Sequence, residues 1–284
     1  MIKAETLMKL PRSFKDLCQV YPPSVEEVLK EGGVGLRYNA ILTETYEELH
    51  DEYVKDDPEI PEDRIPTPYK YILVNSYASE MVKEMYCKAF EFFLHEPVTI
   101  VPELEVIIIG KDEEHLDPDV DLDNPRLIKE EDFFDFQNYI RDAMGVKPVT
   151  EIEDFSNEHP KLRRMKALAR ERDRVAAKQK ANDGTGISFD TSLVALCCMG
   201  IGINPLNVGE IAYASVTPIV KMFQAREDFD ADMHFIYAGA DAKKVKPEYW
   251  VRDFTDELCE SIRRNQPEKN DDMTVLTLAV AKND

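Results

Sequence analysis

The sequence predicts a mainly α-helical protein with a small β element, an α+β architecture in which an acidic N-terminal region carries a β-hairpin and the C-terminal region is helical. Three observations lead there. Apolar residues recur at helical intervals through most of the chain. One pair of β-rich runs, at 98–101 and 104–109, breaks that period. Charge is also segregated: residues 1–150 hold 16 basic and 33 acidic side chains, whereas residues 161–180 hold nine basic and two acidic ones.

From Ser24, the segment SVEEVLKEGG opens on a Ser cap with Glu27 three positions on and closes on a glycine pair, so a short helix with both ends marked is predicted. In LRYNAILTETYEELHDEYV, Leu36, Ile41, Tyr46, Leu49 and Tyr53 recur near helical spacing and predict one longer helix. The prolines of DDPEIPEDRIPTPYK then predict a loop. From Ser76 to Glu96 the pattern is again helical, with Met81, Met85, Ala89, Phe92 and Phe93 close to one face. The runs Val98 to Val101 and Leu104 to Ile109 flank Pro102-Glu103 as a hairpin would, and the all-apolar VIII predicts a second strand covered on both faces.

After an acidic loop, EEDFFDFQNYIRDAMG places Phe133, Phe136, Ile140 and Met144 at helical intervals and stops at Gly145. KLRRMKALARERDRVAAKQK reads as a solvated, Ala-rich helix or helical linker. ISFDTSLVALCCMGIG predicts a buried helix, and the segment from Asn207 a long one bent at Pro218. Near the end, TVLTLAV predicts a terminal strand able to pair with the 98–109 hairpin. These changes divide the chain into an acidic α+β region (1–150), a basic helical linker (151–182), a helical region (183–254) and a C-terminal extension (255–284).

A chain of 284 residues with 43% apolar content can bury a substantial core. Its net charge of -21 opposes general phosphate binding, so nucleic acid is not the expected partner. Cys18, Cys87, Cys197, Cys198 and Cys259 form neither a paired framework nor a CxxC spacing, which predicts reduced thiols and a cytoplasmic setting. MIKAETLMKLPRSF lacks the apolar core of a signal peptide, and no run reaches the ~18–20 apolar residues of a spanning helix.

The stretch CCMGIGINPLNVGEI poses a choice between a cofactor-cradling glycine loop and a helical corner. Gly200 and Gly202 match the first two glycines of GxGxxG, but Pro205 takes the third place and the preceding TSLVALCCM is helical in character. Asn207 followed by Glu210 reads as a capping pair, so a helix corner built on Gly200, Gly202, Pro205 and Asn207 is expected, with the glycines permitting a close crossing. No cofactor is expected.

Asp119, Asp121, Asp123 and Glu130 fall at positions 1, 3, 5 and 12 of a calcium loop, the oxygen spacing such an ion requires. Asn124 replaces the glycine at position six and Pro125 takes position seven, so a solvated acidic loop is the expected reading and no metal is assigned. EKNDDMTVLTLAV resembles the closing strand of metal-dependent protein phosphatases, with Asp271 and Asp272 in the DDxTV context and Asp183-Gly184 as that family's DG pair. The resemblance covers about a dozen residues, and the polar stretch KQKAN precedes Asp183 where that family has a strand. The histidines at 50, 95, 115, 159 and 234 fall at no metal-ligand spacing. The basic stretch 161–180 lacks interleaved aromatics for base stacking, and an intramolecular or intersubunit match to the acidic region is expected instead.

The order of segments carries a broader resemblance. PRSFKDLCQVYPPSVEEVL, FEFFLHEPVTIVPELEVIIIG, FFDFQNYIRDAMG, KLRRMKALARERDRV, the stretch around CCMGIGINPLN, and AGADAKKVKPEYWVRDF together resemble tail assembly chaperone-like proteins of long-tailed phages and prophages, over about residues 10–254. The resemblance implies a non-enzymatic role in the host cytoplasm: keeping the helical tape-measure protein soluble while tail-tube subunits assemble around it. A structural tail component retained in the virion is the alternative, and a phosphatase-like enzyme a more distant one. Such a chaperone needs apolar helix faces within a strongly charged exterior. Phe133, Phe136, Ile140 and Met144 on one helix, and Val216, Ile219, Val220 and Phe223 on another, are the expected partner-binding faces. Self-association is admitted by the same charge segregation.

Overall fold

The computed structural model describes residues 4–111, 126–150, 155, 158–182, 189–240 and 245. In order the elements are α1 (Ala4–Leu7), β1 (Arg12–Phe14), β2 (Cys18–Val20), α2 (Val25–Leu42), α3 (Tyr46–Asp56), α4 (Pro68–Ala78), α5 (Glu80–Leu94), β3 (Val98–Val101), β4 (Val106–Ile109), β5 (Leu127–Ile128), α6 (Glu130–Ala143), α7 (Pro160–Asn182), α8 (Phe189–Cys198) and α9 (Val216–Tyr237). The protein is mainly α-helical, with a two-stranded sheet β1-β2 and a three-stranded antiparallel sheet β3-β4-β5.

The caps written into the sequence form locally. Ser24 accepts from the Glu27 N–H, and the Ser24 N–H donates to Glu27 Oε2 at 2.7 Å, a reciprocal box that satisfies two orphan donors of α2. The helix breaks where expected: Lys30 is extended, and Glu31, Gly32 and Gly33 take left-handed φ before helix resumes over residues 34–42. Across that break Gly35 packs on the first half, and a Cβ there would lie 2.7 Å from Val28 Cα.

Two expected helices are each two. The predicted 36–54 helix stops at Thr43, and α3 restarts behind a second box in which Thr45 caps Glu48 and Glu48 Oε2 accepts from the Thr45 N–H at 3.0 Å. The predicted 76–96 helix is the end of α4 and the whole of α5, separated by extended Ser79. That break resets the rotation, so Met81 is 71% exposed and the buried face of α5 is Val82, Tyr86, Ala89, Phe90, Phe93 and Leu94. Pro218 does not bend α9, because it is the third residue of the helix, in the first turn, where no intrahelical acceptor waits and the N–H that proline lacks is not missed.

The predicted hairpin forms, but its second strand starts at Val106 and not at Leu104, because a 3-10 turn takes up Pro102–Leu104; Val98 lies opposite Ile109 and Val101 opposite Val106. Its third strand is β5 on β4; the expected terminal strand lies outside the described residues. Sheet, α4, α5 and α6 close over one aromatic core, where Phe136 packs on Phe14, Phe90 and Phe133 with ring centroids 5.4–6.2 Å apart.

The polar side of α6 also serves the fold. Gln137 donates to the carbonyls of Leu42 and Glu44 at 2.8 and 2.9 Å, and Arg141 to that of Thr43 at 2.6 Å. The turn between α2 and α3 thereby gains partners for carbonyls that a helix end leaves bare.

The basic segment is a helix, α7, and it lies on acidic α3. Arg170 grips Asp51 with Nε at 2.8 Å and Nη2 at 2.5 Å, and reaches Glu47 at 2.9 Å. Lys55 meets Glu171 at 2.9 Å and Arg174 meets Glu48 at 3.4 Å. Asp51 is buried beneath these pairs; burial acts to raise its pKa, but His50 beside it and the charges of Arg170 and Arg174 prevail and hold it below the ordinary carboxylate value. Phe155 seals the end by stacking on His50, centroids 3.8 Å apart. The charge match expected within the chain is therefore made inside it, and α7 is packed on at least one side.

Candidate functional site

The site is built from α8, the turn after it, and α9. In α8 the buried residues are Ser192 and Leu196, and Leu196 forms a second, smaller apolar cluster with Val25, Val216 and Val220. Three connections tie this cluster to the rest: Val25 N–H to the Ile211 carbonyl at 3.0 Å, Tyr213 N–H to the Pro23 carbonyl at 2.9 Å, and Phe189 stacked on Tyr213 at 4.8 Å.

The connecting turn is held by asparagines. Asn207 N–H bonds the Asn204 carbonyl at 3.1 Å around Pro205 and Leu206, the setting in which Pro fixes the φ of a turn's second residue. Asn207 Oδ1 accepts from Asn204 N–H at 2.7 Å, and its Nδ2 donates to the Gly202 carbonyl at 3.0 Å. Asn207 is thus a loop brace; it makes no side-chain cap, and the long helix starts only at Val216. Gly200 and Gly202 have φ of +68° and +85°, and a Cβ on either would meet nothing within 4 Å. They provide left-handed backbone, and the expected close helix crossing is not their role.

Between α8 and α9 lies an open groove of about 610 Å³. Ala195, Cys198 and Met199 line one side, Val220, Phe223 and Gln224 the other, with Glu227 and Asp228 at one end. Neither carboxylate has an ion-pair partner among the described residues. Elsewhere on the same two helices, Val194 and Phe235 are 64% and 62% exposed, and Leu206 in the connecting turn is exposed too. Such a surface can take the apolar ridge of a helix whose flanks carry cations.

The eight residues expected to receive a partner divide. Phe133, Phe136, Ile140 and Met144 are at most 2% exposed and belong to the main core, so the α6 face is not a free surface. Val216 and Val220 are buried in the second cluster, with Ile219 packed against it. Val220 and Phe223 reach the groove. Ala195, Cys198, Met199, Gln224, Glu227 and Asp228 were not singled out from the sequence; the four-residue step from Phe223 to Glu227 was the available signal.

Of the calcium-loop residues, Asp119, Asp121 and Asp123 lie outside the described residues. Glu130 is at the first turn of α6, accepting from Thr67 Oγ1 at 2.7 Å and facing Lys70. Asp183-Gly184, Asp271 and Asp272 are likewise outside. Among the described residues no group of three or more His, Cys, Asp or Glu side chains is placed to hold a metal ion. Burial pushes the Cys18 thiol up to about 12, which removes it as a nucleophile near neutral pH. No helix among the described residues is long and apolar enough to cross a membrane. Comparison with protein-family models, curated proteins and solved structures finds no match to this chain.

Proposed function

We propose that this chain is a non-enzymatic assembly protein that holds a helical partner in the α8–α9 groove, and that the partner belongs to a long-tailed phage tail: the tape-measure protein, or the tail-tube subunit that assembles around it. The observation that carries the binding role is the groove itself, lined by Ala195, Cys198, Met199, Val220 and Phe223 with Glu227 and Asp228, unpaired among the described residues, at its end, on a chain of net charge -21. The segment resemblance supports the choice of partner. An apolar face in a strongly charged exterior suits a protein that keeps a greasy helical chain in solution.

Co-expression with the tape-measure and tail-tube proteins tests this. Co-elution of one of them with the full chain, lost on Phe223→Asp while the thermal midpoint stays near that of the parent, is the expected result. Absence of co-elution, or co-elution indifferent to Phe223→Asp, overturns the groove as the holding site. Detection of the chain in purified mature particles would make it a retained tail component using the same groove.

A further inference from the structure

The helix α7 has two unlike faces. Its inner face, through Arg163, Ala167, Arg170 and Arg174, lies on the α3 side, with Arg163 and Ala167 buried. Its outer face carries Met165, Leu168 and Val175, spaced by three and seven residues along one stripe and 42–67% exposed. Lys161, Arg164 and Arg172 border that stripe, all exposed and without an ion-pair partner among the described residues. A solvated helix face has no need of three large apolar side chains in register.

The chain contains a surface that complements this one. The groove offers apolar side chains and two carboxylates, where the outer face of α7 offers an apolar stripe and three cations, all five charges without an ion-pair partner among the described residues. Lengths also agree: at 1.5 Å per residue, Met165 to Val175 spans about 15 Å, and ten-residue α8 spans about 15 Å. We propose that the chain self-associates head to tail, the outer face of α7 in one copy occupying the α8–α9 groove of a second copy. This rests on the groove of the preceding section as a binding surface, but not on the identity of its tail partner.

Net repulsion between two copies of charge -21 does not forbid this, because at physiological ionic strength charges separated by more than about 8 Å are largely screened and the contact is decided by the facing groups. A nucleic acid would satisfy the cations and leave the apolar stripe in water, so it matches half of the surface. The contact joins two different patches, hence it is heterologous: copies add until the rotation closes a ring or an open series forms. Occupancy by a second copy would also cover the groove until a partner displaces it.

The test uses the purified full chain at ~0.15 M salt, where the screening length is about 8 Å. Sedimentation should show mass rising with concentration beyond that of a dimer. Arg164→Glu with Arg172→Glu, and separately Glu227→Lys with Asp228→Lys, should each weaken association roughly tenfold or more. Mixed in equal amounts, the two double variants pair the intact α7 face with the intact groove and the reversed face with the reversed groove, so growth beyond a dimer should return. A concentration-independent monomer overturns the proposal, as does association that the variants leave unchanged or a mixture that fails to pair. Binding of a short DNA duplex or of anionic vesicles by a chain that stays monomeric would also overturn it, assigning the α7 face to that surface. Failure here is separable from failure of the tail reading: Arg164→Glu with Arg172→Glu leaves the groove whole, so co-elution with the tape-measure protein should survive it.

Discussion

The helices α6 and α9 carry apolar stripes of the same kind, yet they end in different states. On α6, Phe133, Phe136 and Ile140 meet β1, α4 and α5, and nothing of the stripe remains in water. On α9, the first turns close on α8 and Val25, while Phe223 and the residues beyond it border a groove, and Phe235 and Tyr237 are exposed. The difference lies in the surroundings. Several elements converge on α6, whereas α9 has one short helix and a braced turn beside it among the described residues, so its apolar surface exceeds what those residues cover. An uncovered stripe on a highly charged protein is where a partner finds purchase.

The comparison can be broken most strongly at the aromatic core. Phe90→Ala removes a ring stacked on Phe136 with no exposed surface and should cost about 3–5 kcal/mol in denaturant unfolding, whereas Phe223→Ala at the groove should cost about 1 kcal/mol. Equal losses would mean that α9 is as sealed as α6 and that the groove is no site.

Next in size is the contrast between the two faces of α7. Arg170→Met strips the partner from buried Asp51 and should cost about 2–3 kcal/mol, somewhat under the full value for a buried pair because the guanidinium is a quarter exposed. Arg172→Met on the outer face should stay within about 0.5 kcal/mol. The Asp51 contribution has a defined pH window. Its folded-state pKa lies below the ordinary value of 3.8, so the stabilisation is complete above 3.8 and is lost as pH falls through the lower folded value. The stability deficit of Arg170→Met should therefore be full above pH 3.8 and shrink as pH falls below it; a deficit that does not change with pH would show that Arg170 does not hold Asp51.

The glycines sharpen the contrast further. Gly35→Ala puts a methyl 2.7 Å from Val28 Cα, a backbone atom that cannot swing away, and should cost about 2 kcal/mol. Gly202→Ala meets open space but keeps φ at +85°, which should cost about 1 kcal/mol, with Gly202→Asn recovering part of it because Asn tolerates left-handed backbone. Equal cost for Ala and Asn at 202 would restore crowding as the reason for that glycine.

Local features were readable where both partners sit within a few residues. The Ser24–Glu27 box, the break at Gly32-Gly33 and the turn at Pro102-Glu103 all formed where their residue types stand. The Thr45–Glu48 box was equally local, but the apolar period running through it from Leu36 to Tyr53 concealed the stop. Ser79 gave little warning, and without it the face of α5 was drawn through Met81. Gln137 and Arg141 were unreadable for another reason: the carbonyls they satisfy lie 93–98 residues away.

What the sequence determined alone is most of the longer helices, the presence of the 98–109 hairpin, and a basic helix set against an acidic region, but not the short strands β1, β2 and β5, because propensity, capping and charge act over a few residues or over whole segments. Only the tertiary structure decided which apolar stripe is core and which remains open. Burial is a property of the elements that converge on a helix from distant parts of the chain, and two stripes with the same spacing carry no record of how many neighbours each will meet.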